Sequence, residues 1–527
     1  MPVRSAHRAF DGASSSSGVA DGSLSGMPVM AAIVARERPL CARAVTLGNV
    51  TTYESPQSLP EAAIVVLYGA TGDLASRMVL PAIDEVRRRG LMPAHWRLVG
   101  CSTGRLDDDA FRDRVAAALE GSEQGTPDDV DEVLGRVRYA GGGFSAEDPG
   151  DLPGVLNEVR EDLAGETDAE PLVLHFLAVP PGAFAPIARG LGAHGLAEGA
   201  RVVFEKPYGT SLESFVELDG AVKEVLDEEQ IFRIDHFLGK EGVQTIYVMR
   251  FANQLFGSEW SRASVEQVQI DVPEDLDVAN RIGFYEATGA ALDMIVTHLF
   301  QVAGQVAMEP PRSLREPAAI HQAREDALRS FRPLEPAEDV VLGQFEGYRD
   351  IEGVAPDSEQ DTYVAVRLWV DSERWRGVPF LLRTGKRMAA KAQRITLVLG
   401  PPYGPLDPEL DTPNSIQIDF SGSGEVRLGI TVKTPGPDLT YSSGTAVLDL
   451  DDVPGGEPIS PYASLIHDVL LGDRSLFTTA EALQGAFTAF APLQGDARPA
   501  PLPYVPGSWG PEEARRLPAP HEWFLGQ

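Results

Sequence analysis

Between Ala62 and Gly90 the chain reads AAIVVLYGATGDLASRMVLPAIDEVRRRG. An apolar run over Ile64–Leu67 meets a glycine-containing turn, and a helical pattern follows that closes at Gly90. A buried strand entering a helix through a glycine turn opens a βαβ unit. The order then repeats. HWRLVGC predicts a second strand, and DDDAFRDRVAAALEG a helix whose acidic start suits the helix dipole. VRYAGGGF, PLVLHFLAV and ARVVFEKPYG supply further strands with helical patterns between them. Strands and helices alternating at this spacing form a parallel sheet covered by helices, so the chain is expected to be Rossmann-like up to about Asp235.

After Asp235 the rhythm changes. Two long helical patterns, GKEGVQTIYVMRFANQLFG and ALDMIVTHLFQVAGQVAM, are joined by segments that alternate apolar with polar residues, among them SVEQVQIDVPE, TYVAVRLWVD, QRITLVLG, NSIQIDFSG and EVRLGITVKT. Such alternation marks half-buried antiparallel strands. The expected fold class is therefore α/β plus α+β. Residues 61–235 form a Rossmann-like coenzyme-binding domain. Residues 236–527 form a larger α+β domain, with a mostly antiparallel sheet and helices, for substrate binding and dimerisation. Residues 1–60 begin MPVRSAHRAFDGASSSSGVADGSLSG, small and polar, and are expected to be a disordered extension.

Charge narrows the partners. With 78 acidic against 45 basic residues the formal net charge is -33, which repels nucleic acid and anionic membrane. No apolar run approaches the roughly 18 residues of a membrane helix. Cys41 and Cys101 are the only cysteines, far apart and in no ligand spacing; that excludes a disulfide framework or zinc site and fits a reducing cytoplasm. An anionic ligand would need its own local positive charge. The chain has only six lysines, and four of them fall in three mixed apolar and charged segments: VFEKPYG, IFRIDHFLGKEGV and LLRTGKRMAAK. A chain that otherwise uses arginine keeps lysine where a compact ammonium has a task.

Four stretches carry candidate chemistry. GATGDLAS places Gly69, Gly72 and Ala75 at the first strand–helix junction, with Thr71, Asp73 and Leu74 between and after the glycines. Glycines there let the backbone close on a pyrophosphate at a helix N-terminus. FEKPYG holds Lys206 before a proline at a strand's carboxyl end, where doubly wound sheets bind ligands and where an X–Pro bond can be cis. RIDHFLGKE sets Asp235 beside His236, with Lys240 four residues on; a helix starting here would put His236 and Lys240 on one face, able to grip one anion. DMIVTHLFQ puts His298 in an apolar helical run, five residues after Asp293. Alone, that histidine reads as a satisfied core residue.

Taken together, GATGDLA, EKPYG, RIDHFLGKE, GFYEATGAALDMIVTH and LRTGKRM resemble the motifs of the glucose-6-phosphate dehydrogenase family, in the family's order and over roughly residues 62 to 525. The resemblance implies oxidation of glucose 6-phosphate to the 6-phosphoglucono-lactone, the first step of the oxidative pentose phosphate pathway, in a cytoplasmic homodimer or homotetramer. It implies His298 as general base and Asp235 as the group that orients it. His236 and Lys240 would hold the 6-phosphate, and Glu274, Asp293, Lys386 and Lys391 would contact sugar and phosphate. Lys206 would lie between cofactor and sugar. Gly69, Thr71, Gly72, Asp73 and Leu74, with Ser102, Thr103 and Arg105, would hold NADP.

The chain departs from the family at three places. Met78 stands where the turn helix usually carries a lysine near the substrate, and Ser76 replaces another. Thr103 stands near the arginine that usually meets the 2′-phosphate, and Arg105 follows two residues later, so NAD or dual use stays open. Phe237 replaces the tyrosine of the RIDHYLG signature, with the loss of one hydroxyl. Met78 also keeps open a non-catalytic or regulatory sugar-phosphate-binding paralogue, and beside it an NAD-linked dehydrogenase of another hexose phosphate.

Overall fold

A computed structural model describes residues 57–121, 127–257, 259–278, 281–402, 404, 406 and 412–526. The expectation of disorder for residues 1–60 lies, apart from Gln57–Pro60, outside these residues, as does Cys41. Cys101 is a buried free thiol.

Strand β1 (Ala62–Tyr68) is buried along its whole length, as an apolar strand central to a helix-covered sheet must be. It pairs in parallel with β2 (His95–Cys101) on one side and β4 (Leu172–Leu177) on the other. With β3 (Val137–Ala140), β5 (Arg201–Phe204) and β6 (Ile231–Arg233) they make a six-stranded parallel sheet of order β3-β2-β1-β4-β5-β6. The order reverses between β1 and β4, and the crevice at such a switch point is where ligands enter doubly wound sheets.

Among the described residues the second sheet has nine strands: β7 (Val265–Pro273), β8 (Val340–Phe345), β9 (Tyr363–Leu368), β10 (Phe380–Gly385), β11 (Arg394–Leu399), β12 (Ser415–Asp419), β13 (Glu425–Lys433), β14 (Tyr441–Asp449) and β15 (Leu502–Tyr504). Their order is β14-β13-β12-β11-β7-β10-β9-β8-β15. Two pairs, β7 with β10 and β8 with β15, are parallel, so the sheet is mixed although mostly antiparallel. Strands β7 and β10 are far apart in sequence with helices between, which gives the chain room to cross over and return in the same direction.

Two expectations need correction. No helix starts at His236. Asp235 accepts the Phe237 N–H at 2.9 Å, Leu238 and Lys240 bond back to Asp235 and Phe237, and the resulting turns delay the helix to Glu241–Ala252. Lys240 is its N-cap residue. Second, the helical run Ile282–Ala307, 26 residues, is long and apolar enough to cross a membrane by those measures alone, whereas no such run was expected. It is a core element: 83% of its most apolar window is buried inside the protein.

Helix Pro461–Leu471 joins the two sheets' neighbourhoods. Glu85 accepts the Ser460 N–H at 3.2 Å at its start, and Arg89 donates to the Glu457 and Pro458 carbonyls beside it. At its end Arg201 donates to the Val469 and Leu470 carbonyls at 2.6 and 2.8 Å. Both helix termini, which need partners for their free backbone groups, find them partly on elements of the first sheet.

Candidate active site

The turn after β1 is built by glycine. Gly69 has φ +70°, and a Cβ there would stand 2.3 Å from the Ala178 carbonyl oxygen, so only glycine lets β1 leave the sheet this close to β4. Gly72 donates back to the Gly69 carbonyl at 2.8 Å. Thr71, Gly72 and Asp73 are exposed at the sheet's carboxyl edge, and Asp73 pairs with Arg77 at 3.6 Å, both in solvent. Ser102 and Thr103, just past β2, lie alongside: Thr71 Oγ1 reaches Ser102 Oγ at 3.5 Å. Tyr139 braces this loop, 2.5 Å from Ser102 Oγ and donating to the Gly104 carbonyl at 2.7 Å. Arg105 stands on the rim, 73% exposed, and pairs with Asp151 at 3.3 Å. The turn, its N–H groups and these side chains form a cradle suited to a dinucleotide.

Asp235 follows β6 by one residue, and its position is set by Arg233. That buried guanidinium bonds Asp219 at 2.5 Å and Glu228 at 2.7 Å, while the Arg233 carbonyl accepts the Thr478 N–H at 3.1 Å. Asp235 Oδ1 accepts from His298 Nδ1 at 2.6 Å. The Phe237 ring lies flat on the His298 imidazole, centroids 4.5 Å apart and planes within 10°. His236 meets the same imidazole edge-on at 4.7 Å and stacks over Tyr462 at 6.1 Å. His298 Nε2 and Asp235 Oδ2, both buried, have no hydrogen-bond partner among the described residues.

Burial pushes the Asp235 carboxyl up to about 6 and drives both His236 and His298 well below the ordinary histidine value. Neighbouring positive charge adds to the effect, from His298 on His236 and from Lys206 on His298. A neutral imidazole, its Nδ1–H fixed by a carboxylate and its Nε2 free, can accept one proton and no more. The same three residues bring ligand-type atoms within 4.8 Å of one another, but Lys206 and Lys240 beside them oppose a cation.

The lysines converge on this pair. Lys206, in a cis Lys206–Pro207 peptide just after β5, donates to Asp293 Oδ1 at 2.9 Å and to the Asp293 carbonyl at 3.1 Å. Burial is the largest influence on Asp293 and would raise it; the Lys206 charge and hydrogen bond, with His298 and Arg281, together outweigh it and hold the carboxyl below its usual range. Lys240 donates to Gln393 Oε1 at 2.6 Å. Burial, with Lys391 nearby, lowers the Lys240 ammonium to about 8. Lys391 itself is exposed. Lys386 pairs with Glu274, and burial, helped by Lys206, lowers it to about 8. So five of the expected residues form one connected group (Lys206, Asp235, His236, Asp293 and His298), with the pair Lys240 and Lys391 and the pair Glu274 and Lys386 adjoining it.

Residues 66–245 match the family described as glucose-6-phosphate dehydrogenase, NAD binding domain, and residues 247–524 match the glucose-6-phosphate dehydrogenase C-terminal domain. The chain belongs to the glucose-6-phosphate dehydrogenase family. It is 36% identical over 486 residues to a Mycobacterium tuberculosis protein named glucose-6-phosphate 1-dehydrogenase 2, covering 86% of this chain and 92% of that one. It is 33% identical over 469 residues to glucose-6-phosphate 1-dehydrogenase 6, cytoplasmic, of Arabidopsis thaliana, covering 86% and 90%. A solved structure titled as glucose-6-phosphate dehydrogenase in complex with its substrate glucose-6-phosphate superposes with TM-score 0.82 at 27% identity, over 90% of this chain and all of that one.

Three residues that adjoin this candidate site were not singled out from sequence. Tyr462 opens the helix Pro461–Leu471, its hydroxyl 3.4 Å from Glu205, and nothing in SPYASLIHD distinguishes it from a core tyrosine. Glu205 is buried and raised to about 7 by that burial, although Tyr462 and Lys206 pull it down. Its place beside Lys206 in FEKPYG was a usable signal. Gln393, two residues after Lys391, was another. Met78 is 42% exposed and lines a cavity of about 510 Å³ with Arg77, His236, Ser460 and Tyr462. The side chain that differs from the family's lysine therefore faces the space beside His236.

Proposed function

We propose that this chain oxidises glucose 6-phosphate to 6-phosphoglucono-1,5-lactone with NADP, using His298 as the general base. The observation that carries the reading is the 2.6 Å bond from His298 Nδ1 to Asp235 beside an unpartnered Nε2. A substrate hydroxyl at C1 loses its proton to Nε2 as the C1–H bond breaks and the C1–O1 double bond forms. A nicotinamide dinucleotide held at the turn after β1 would supply the hydride acceptor. Asp235 then stabilises the imidazolium, and Phe237 holds the ring plane.

The other residues divide by charge. Lys240 and Lys391 grip the 6-phosphate dianion, supplying the local positive charge that a chain of net charge -33 otherwise lacks, and His236, kept neutral by burial, adds a hydrogen bond. Lys206, tied to Asp293, stands between cofactor and sugar; Glu274 and Lys386 with Asp293 contact the sugar hydroxyls. Gly69, Thr71, Gly72, Asp73 and Leu74 receive the pyrophosphate. Ser102, Thr103 and Arg105 receive the 2′-phosphate, which favours NADP over NAD; Arg105 must give up Asp151 to do so.

The coenzyme part then ends near residue 235 and the substrate part runs from 236, close to the junction of the two matched regions at residues 245 and 247. The reading extends to a cytoplasmic homodimer or homotetramer. Support for cytoplasm is the name of the Arabidopsis relative. Support for self-association is the sheet's far edge, where buried Val426 on β13 shares one face with exposed Ile430 and Val432 and, through its pairing, with exposed Leu448 on β14. An apolar face that runs past its cover fits a second copy of the same face.

Absorbance of reduced nicotinamide tests the reading, with purified protein, glucose 6-phosphate and either NADP or NAD. Turnover with NADP ahead of NAD is expected. Binding of the sugar phosphate without turnover would sink it in favour of a binding paralogue, and light scattering of the same sample reads the oligomer.

A further inference from the structure

Gly289 breaks the long helical run. Its φ of +62° and ψ of -178° kink helix Ile282–Ala290 one residue before its end, just ahead of a π-helical stretch, Ala291–Leu299, that carries both Asp293 and His298. A break in a buried helix leaves carbonyls on one side and N–H groups on the other without partners. Two consecutive residues just before β9 meet both needs. The Gln360 amide donates to the Tyr285 and Glu286 carbonyls at 3.2 and 3.0 Å. Asp361 accepts the Ala290 N–H on its own carbonyl at 3.0 Å and the Ala291 N–H on Oδ2 at 2.8 Å. Arg498, from the chain's last part, closes on Asp361 Oδ1.

The fit is tight. A Cβ on Gly289 would stand 2.7 Å from Asp361 Oδ1, so the break and the carboxylate occupy one place only together. The winding that follows matters for chemistry. On an α-helix, residues five apart point about 140° away from each other. With i→i+5 hydrogen bonds they lie roughly one above the other. Asp293 and His298 are five apart, and both reach the same site: Asp293 holds Lys206, and His298 holds Asp235.

We propose that Asp361, held by Arg498, is a positioning residue for proton transfer. It fixes where the π-helical stretch begins, and so the direction in which Asp293 and His298 both point. It touches neither substrate nor cofactor. The inference rests on His298 being the base, as proposed above.

The test uses the full chain with Asp361→Ala, Asp361→Asn and Arg498→Met. Asn keeps an oxygen for the Ala291 N–H, whereas Ala does not. Kinetics with glucose 6-phosphate and NADP, calorimetric binding of glucose 6-phosphate, and the low-field proton resonance of the His298 Nδ1–H are read on each folded variant. Small displacements of catalytic groups cost up to about 100-fold. Asp361→Ala is therefore expected to lose kcat by roughly 30-fold or more, with sugar-phosphate affinity within about threefold, and to lose or shift the resonance; Asp361→Asn recovers most of both. An Asp361→Ala protein with kcat within about threefold of the parent and an unmoved resonance would overturn the proposal, as would equal losses of kcat and affinity. Should Asp361→Ala not fold, the same outcomes are read on Arg498→Met. If the parent itself shows no turnover, the proposed function fails, and the resonance alone decides the positioning role.

Discussion

His298 donates to Asp235 at 2.6 Å, and the same carboxylate oxygen takes the Phe237 N–H at 2.9 Å, so one aspartate oxygen fixes both the imidazole and the ring stacked on it. His298→Asn removes the acceptor and leaves the lysines in place. It should lower kcat by about 10²- to 10⁴-fold, with the dissociation constant of glucose 6-phosphate within about threefold. Asp235→Asn should fall in the same range of kcat, because an amide cannot favour the Nδ1–H tautomer or balance an imidazolium. Steady-state kinetics beside calorimetry separates the two quantities.

Lys240 titrates at about 8 and is charged below that value. The phosphate grip should accordingly weaken as pH rises past about 8, with KM for glucose 6-phosphate climbing while kcat changes little. Lys240→Arg, which does not lose its proton in this range, should move that rise out of the measurable window. A KM flat to pH 10 in the parent would contradict the assignment.

Glu205 has a folded value of about 7 against an ordinary 4.5. A raised value in the folded state means that its contribution to stability is full below 4.5 and is lost as pH rises through 7. Glu205→Gln should therefore gain on the parent between pH 5 and pH 8, by up to about 3 kcal/mol. Thermal melts of both proteins across that range measure it; a gap that is constant or narrows with pH would be the wrong sign.

Met78 faces the cavity beside His236. Met78→Lys adds an ammonium beside the proposed phosphate site, and a charge-assisted hydrogen bond contributes about 1.5–3 kcal/mol. An increase of roughly tenfold or more in kcat/KM for glucose 6-phosphate is expected. No gain in a folded variant would mean that Arg77 or Arg88, which line the same cavity, already supply the charge.

Strands β1 to β5 were readable because each is a short apolar run followed closely by glycine or proline, and β1 is buried on both faces as its composition demands; β6, three residues leading into Asp235, carries no such mark. In the second sheet β7, β9, β11, β12 and β13 were readable by alternation; β8 and β10, buried almost throughout, do not alternate and were missed, as was the parallel pairing of β7 with β10, which depends on where the intervening helices deliver the chain. The dyad's members were visible as Asp235 and His298. Their 2.6 Å contact was not, since 63 residues separate them and a lone histidine in an apolar run is commonly inert. On an α-helix a five-residue spacing would point Asp293 and His298 about 140° apart; the π winding after Gly289 aligns them. Tyr462 was illegible for a simpler reason: it arrives from the other end of the chain.

Helix Pro461–Leu471 is fastened at its start by Glu85 and Arg89 and at its end by Arg201, all from the first half of the sequence. Its Tyr462 stacks on His236 and bonds Glu205. The two regions that match as separate sequence families are thus interlocked rather than modular. A ribosome must finish nearly the whole chain before the wall over His236 exists, so a half-chain cut near residue 246 would be born with its proposed phosphate pocket open to water. Grafting the second region onto another dinucleotide fold would have to carry Glu85, Arg89 and Arg201 with it.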